Sequence, residues 1–430
     1  MFRPQHATRT LGGNLRDRAS LRRTTASTTI VLLIASLSLW PVPARAAAPT
    51  CLGRAATIVG TAGVDDPLPG TSGDDVIVGR GGNDVIQGRG GNDRICGNGG
   101  VDTLQGGRGD DRLQGGGGDD TLLSEVGDDR YLGGTGNDLV DYSQAYFTSK
   151  SDGLKVNLAT GRAKGEGADR LAGVEGVIGS GYGNDVLTAN DAGSMLDGDF
   201  GADILIGGAS ADILVAGATD ADPDTLEGNG GDDTLDFGGS GEDRLTYEHA
   251  PGGVNIDLVL STVSGGDGSD TLVGSPLYVY GSRYGDHIIG DNDGNILIGG
   301  AGADTIEGGD YYDTIRPGPG NDTVDGGAGE DSVSYADATA GVTVDLLLGT
   351  VTGGSGSDTL SGIEDVGGTP FDDVIEGDND HNSMGGGAGD DTLIGRDGND
   401  FLYGGSGYDT LNGGNDLDTC EGEVTTFCEF

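Results

Sequence analysis

An aspartate recurs every nine residues, without a slip, from Asp75 through Asp84, Asp93, Asp102, Asp111, Asp120 and Asp129 to Asp138. Two residues before each stands a glycine, from Gly73 to Gly136. Two residues after each stands Ile77, Ile86, Ile95, Leu104, Leu113, Leu122, Tyr131 or Val140. One unit reads G-G-R-G-D-D-R-L-Q, from Gly106 to Gln114. A strict period with glycine, carboxylate and one apolar residue at fixed phases predicts a solenoid of short turns and short strands. Counted from the opening glycine, positions one to six form the turn. Glycine at position four permits positive φ and close backbone approach. Asp or Asn at position five tolerates the turn geometry. Positions seven to nine form the strand. Position eight faces the core; seven and nine, mostly Thr, Arg, Gln, Val or Glu, face outward. A disordered glycine-rich chain has no reason to hold an apolar residue in phase over so many units.

The aspartate at position six decides the chemistry. Stacked coils lie about 4.8 Å apart, and carboxylates at that spacing repel unless a cation stands between them. Carboxylates and glycine carbonyls make an all-oxygen donor set on flexible turns. That suits Ca²⁺, with its six to eight oxygens, better than Mg²⁺, which demands stricter octahedral geometry. Zn²⁺ lacks its usual nitrogen and sulfur ligands. Without a cation the chain is too charged and too poor in apolar residues to fold.

These units match G-G-x-G-x-D-x-U-x, and over most of its length after residue 60 the chain resembles the RTX, or haemolysin-type, calcium-binding repeat proteins. The resemblance implies an all-β fold: a right-handed parallel β-roll, or β-solenoid, with two nonapeptides per coil. It also implies many Ca²⁺ ions held between turns by position-six aspartates and backbone carbonyls.

The regular array, 70–141, is one of four repeat blocks. The second, 183–246, carries Asp185, Asp203, Asp212, Asp224, Asp233 and Asp243, with insertions near Ala221 and Phe237. The third, 282–334, carries Asp286, Asn295, Asp304, Asp313, Asp322 and Asp331. The fourth, 368–419, carries Asp373, Asn382, Asp391, Asp400, Asp409 and Asp418. Asn295 and Asn382 predict weaker ligation where a roll restarts. The blocks are separated by β-rich spacers at 142–182, 247–281 and 335–367. Each opens near a tyrosine (Tyr142, Tyr247, Tyr335), continues in an alternating strand around Val156, Val254 or Val342, and then reaches Asp169-Arg-Leu, Asp270-Thr-Leu or Asp358-Thr-Leu. Alternation and apolar content predict that the spacers continue the solenoid with wider coils.

Residues 1–46 read as a cleaved secretory signal. Arg16, Arg18, Arg22 and Arg23 precede an apolar run from Ile30 to Trp40, and Ala44-Arg45-Ala46 gives an A-x-A cleavage site. Extracellular location, at or near the cell surface, is the expectation. Without these residues the chain holds 16 basic and 70 acidic side chains, a net of −54. That disfavours nucleic acid as a partner and gives no basis for direct membrane insertion. Four cysteines remain, between an N-terminal cap (47–69) and a C-terminal cap (420–430). In an exported chain they suggest disulfides. The preferred pairing, Cys51–Cys96 and Cys420–Cys428, staples each end of the roll; free buried thiols are the other reading.

The sequence shows neither H-E-x-x-H nor G-x-S-x-G. Repeats fill the space a catalytic domain would need. His249, His287 and His381 have no obvious Ser or Cys partner in sequence, so the expectation is a non-enzyme. Two classes remain: a calcium-loaded scaffold, or an adhesin for cell-surface or matrix polysaccharide. Position three varies too much for the threonine column of ice-binding repeats. Tyr278, Tyr280, Tyr284, Tyr311 and Tyr312 are the candidate sugar-stacking cluster. A carboxylate-based polysaccharide-active enzyme is the remaining alternative.

Overall fold

The computed structural model describes residues 47–430 apart from 146–148, 218–221, 240–241 and 429–430. The segment expected to be a secretory signal, 1–46, and the insertion at Ala221 lie outside the described residues.

The nine-residue period becomes two parallel sheets fed alternately. Val76–Val78, Arg94–Gly99, Arg112–Gly117 and Arg130–Thr135 pair in register in one sheet. Val85–Gln87, Thr103–Gln105, Thr121–Leu123 and Leu139–Asp141 pair in the other. Every partner lies two units further on, so each coil holds two nonapeptides. Position eight fills the space between the sheets: Ile77, Ile86, Ile95, Leu104 and Leu122 have no exposed surface, and Leu113 is 1% exposed. One such cluster runs the length of the roll. Each fully buried Leu or Ile contributes about 1.5–3 kcal/mol, but a strand supplies only one, so the core is thin for its length.

The turns need glycine for two reasons. Gly109, at position four, has φ +127°, which L side chains rarely adopt. A Cβ there would strike the Gly91 carbonyl of the adjacent coil.

The spacers do continue the roll, but by a different device from wider coils. Lys155–Asn157, Arg162–Lys164 and Ala168–Ala172 form an antiparallel meander. Its last strand pairs with Arg130–Thr135 behind it, and its first with Val186–Thr188 ahead. The chain overshoots along the sheet and then doubles back to fill the gap. Val254–Asp257, Thr262–Gly265 and Gly268–Val273 do the same in the opposite sheet. So do Val342–Asp345, Thr350–Gly353 and Gly356–Ser361. The first reversal in each meander uses a left-handed residue: Gly161, Ser261 or Gly349. Alternation announces a half-buried strand whichever way its partner runs, so the pattern alone concealed the antiparallel pairing.

The roll begins inside the segment assigned to the N-terminal cap, because Ile58–Val59 already pairs with Ile77–Val78. The short hairpin Thr50–Cys51/Arg54–Ala55 precedes it. Cys51 is bonded to Cys96 with Cα atoms 5.7 Å apart, and together with Val76 and Val78 they form a small second core outside the sheet. At the other end Val424–Thr426 makes the last pairing, and Cys428 bridges back to Cys420, Cα atoms 5.8 Å apart. Cys420 takes an inward position-eight place, 5% exposed.

Candidate metal centre

Position six is the last residue of the turn, and the strand that follows pulls its side chain under the coil. Asp84, Asp93, Asp102 and Asp120 are 1% exposed and Asp111 2%. One carboxylate oxygen is used structurally. Oδ1 of Asp111 accepts the backbone N–H of Asp93 at 2.7 Å, and Oδ1 of Asp129 accepts that of Asp111 at 2.8 Å. The same link joins Asp304 to Asp322 at 2.9 Å and Asp391 to Asp409 at 3.0 Å. It also survives the insertion in the second block, where Asp203 donates to Asp224 and Asp212 to Asp233, each at 2.7 Å. Asp224 in turn donates to Asp243 at 3.0 Å.

The second oxygen is left over. Oδ2 is buried with no hydrogen-bond partner at Asp84, Asp93, Asp102, Asp111, Asp120 and Asp138 in the first block. The same holds for Asp233 in the second, Asp304, Asp313, Asp322 and Asp331 in the third, and Asp391, Asp400, Asp409 and Asp418 in the fourth. Except in the Asp322 unit, which opens with Pro317, each such oxygen lies against the position-one glycine of its own unit. A Cβ added to Gly88 would collide with both Asp93 Oδ2 and the Gly106 carbonyl of the next coil. Glycine at position one thus keeps open a space that a carboxylate and a carbonyl both border.

A buried carboxylate oxygen without a partner is costly. Burial accordingly raises the Asp111 carboxyl to about 7, with Asp129, Asp93 and Glu125 adding to the rise and the bond from Asp93 opposing it. Asp233 and Asp322 also reach about 7, mainly through burial. Asp120, Asp304, Asp313, Asp391 and Asp400 reach about 6 for the same first reason. Among the described residues no three His, Cys, Asp or Glu side chains gather at one point as a metal cage. A cation here would draw on carboxylates from stacked turns together with backbone carbonyls. That donor set is all oxygen and fits Ca²⁺.

Other position-six residues are satisfied by the protein itself. The first aspartate of each block is embraced by a Ser or Thr four residues before it, or five in the longer turn that leads to Asp185. Thr71 donates its N–H and hydroxyl to Asp75 Oδ2 at 2.7 and 2.8 Å. Ser180 donates both groups to Asp185, as does Ser282 to Asp286 and Thr369 to Asp373. Asp212 Oδ2 accepts the Gly208 N–H at 2.5 Å, and Asp129 Oδ2 the Tyr131 hydroxyl at 3.1 Å. The side-chain oxygens of Asn295 and Asn382 accept N–H groups of Asp291 and Asp378 within their own turns.

Six acidic residues that sequence reasoning did not place also enter the column. Asp129 donates to Asp169, Asp233 to Asp270 and Asp322 to Asp358, at 2.9–3.1 Å. Asp138, Asp331 and Asp409 donate instead to Glu175, Glu364 and Glu423. In the first two spacers the tyrosine is the partner of the aspartate: Tyr142 donates to Asp169 Oδ2 at 3.1 Å and Tyr247 to Asp270 Oδ2 at 2.6 Å, whereas in the third Asp358 Oδ2 is buried without a hydrogen-bond partner. The triplets Asp169-Arg-Leu, Asp270-Thr-Leu and Asp358-Thr-Leu repeat the D-x-U core of a unit, and that was the available signal. The glutamates had none.

His249 contacts Glu227 at 2.7 Å and His287 contacts Glu307 at 3.2 Å. The five tyrosines around the third block make no single platform. Tyr284 is in a turn on one edge of the roll, Tyr311 and Tyr312 are on the other, and Tyr278 is half-buried beneath the Arg244 guanidinium.

Register, glycine placement and unpaired carboxylates together define a calcium-binding repeat roll. The chain matches the model of the RTX calcium-binding nonapeptide repeat at 69–104, 105–140, 180–214, 193–220, 218–245, 261–276, 280–315, 298–333, 350–362, 368–393 and 394–423. These spans cover more than half of its length, and the chain belongs to that family. No curated protein matches it.

Proposed function

We propose that this chain is exported, folds on binding many Ca²⁺ ions between its stacked turns, and serves as an extracellular structural scaffold at or near the cell surface. The observation that carries this reading is the row of buried, partnerless Oδ2 atoms along the repeat blocks. Later aspartates of each block, among them Asp111, Asp233, Asp322 and Asp400, supply those oxygens. The block-opening aspartates and the spacer residues Asp169 and Asp270, already bonded by Ser, Thr or Tyr, serve as fixed joints. Export is supported by the signal-like residues 1–46 and by two disulfides. Catalysis has no part in this reading, since the carboxylates that could serve it are those the cations would neutralise.

Affinity should be weak per site, on the order of 0.1–1 mM as in extracellular modules, and cooperative, because each site joins two coils. Binding free energy then becomes folding free energy. Circular dichroism of the chain from residue 47 is the test: β signal should rise steeply with Ca²⁺ and collapse in excess chelator. A compact, β-rich chain in chelator above pH 7, where the buried carboxyls are ionised, would refute the reading.

A further inference from the structure

One face of this acidic molecule is basic. Arg94, Arg112, Arg130 and Arg170 pair directly on neighbouring strands, and the antiparallel strand after them brings Arg162 opposite Arg170. The same strand sets Lys164 opposite Lys155. These seven are nearly half of the 16 cationic side chains beyond residue 46. All but the half-buried Arg94 are exposed, and none of the seven makes an ion pair among the described residues. Arg94 donates to the Leu52 carbonyl at 3.0 Å. Burial, Arg112 and Arg54 all press its pKa down. The neighbouring outward column at position nine reads Cys96, Gln114, Leu132 and Ala172, without an acid. At the meander a hollow of about 460 Å³ opens between Lys155, Arg162, Lys164 and Arg170. The opposite sheet of the same block presents Thr103, Thr121 and Leu139 at the matching position and no cation.

Like charges facing one another on neighbouring strands, with no ion-pair partner among the described residues, do not stabilise the fold by their charge. We propose that this arginine ladder is a docking surface for an extended acidic polysaccharide bearing uronate carboxylates. One guanidinium per strand, about 4.8 Å apart, offers forked donors to carboxylates carried on successive sugars. The ladder is one column wide and flanked by acidic turns. That favours a single thin chain of modest charge density over a duplex. No aromatic side chain stands outward on these strands to stack bases. No large exposed apolar side chain is there to enter a bilayer. The proposal deepens the scaffold reading by naming what the scaffold would hold.

The experiment uses the calcium-loaded chain and an oligogalacturonate too short to gel with calcium, with a neutral oligosaccharide as control. Calorimetry should show binding that Arg112→Gln/Arg130→Gln/Arg170→Gln weakens about tenfold, equivalent to about 1.4 kcal/mol. The Ca²⁺ titration followed by circular dichroism should not change, which separates failure of the ladder from failure of calcium folding. If the triple variant does not fold, Arg162→Gln/Lys164→Gln on the exposed hairpin should show the same weakening. Unchanged affinity in a folded variant, or tighter binding of single-stranded DNA or anionic vesicles than of oligogalacturonate, would overturn the proposal.

Discussion

At the scale of the residue, adjacent positions of one unit have separable duties, and the unit from Gly106 to Gln114 shows them side by side. Asp111→Asn removes charge from a buried oxygen with no protein partner, so the Ca²⁺ titration should shift to higher concentration while the calcium-saturated β signal is retained. Leu113→Ala opens a cavity in the core and should cost about 2–5 kcal/mol, read by urea unfolding at saturating Ca²⁺. Arg112→Ala, outward on the strand, should change neither. Equal effects from all three would break the phase assignment. Gly106→Ala is a sharper probe, because its Cβ would land on Asp111 Oδ2; it should mimic loss of the aspartate although the aspartate remains. These duties were legible in the sequence, since spacing alone set which residues turn inward. Which carboxylates are free was not. Asp75 and Asp84 occupy the same phase, but a threonine at position two satisfies only the first.

At the scale of the element, the spacers decide whether the roll is one body or four blocks on a string. The meanders keep both sheets continuous, and the column of aspartates passes through them by way of Asp169, Asp270 and Asp358. The sequence disclosed the strands and the recurring tyrosines. It concealed the link between them, because Tyr142 and Asp169 lie 27 residues apart and meet only after the chain doubles back. A phenol hydroxyl there satisfies an oxygen that elsewhere in the column is left without a partner. Tyr247→Phe would leave Asp270 Oδ2 buried without its 2.6 Å donor and should destabilise by about 1–3 kcal/mol. The loss should persist at saturating Ca²⁺, measured by thermal unfolding. Full recovery with added Ca²⁺ would mean that Asp270 is an ordinary metal ligand and the tyrosine incidental.

At the scale of the whole molecule, the balance lies between a thin apolar core and a net charge of −54 beyond residue 46. Protons and calcium both relieve that charge, but they act on the same oxygens and so compete. In the fold, burial lifts Asp111, Asp233 and Asp322 to about 7 from an ordinary 3.8, with several neighbours at about 6. A carboxyl whose pKa is higher folded than unfolded favours the fold when protonated. Its contribution is full below about 3.8 and gone once the pH has risen through about 7. The chelated chain should therefore be most compact and most β-rich near pH 4, and should lose that structure progressively as the pH approaches 7. With calcium the sign reverses. The cation needs the ionised carboxylate, so the concentration required for folding should fall as the pH rises across the same window. Circular dichroism against pH, once in chelator and once at a fixed sub-saturating Ca²⁺ concentration, should give two curves of opposite slope. Parallel curves would mean that the buried aspartates are not where protons and calcium meet.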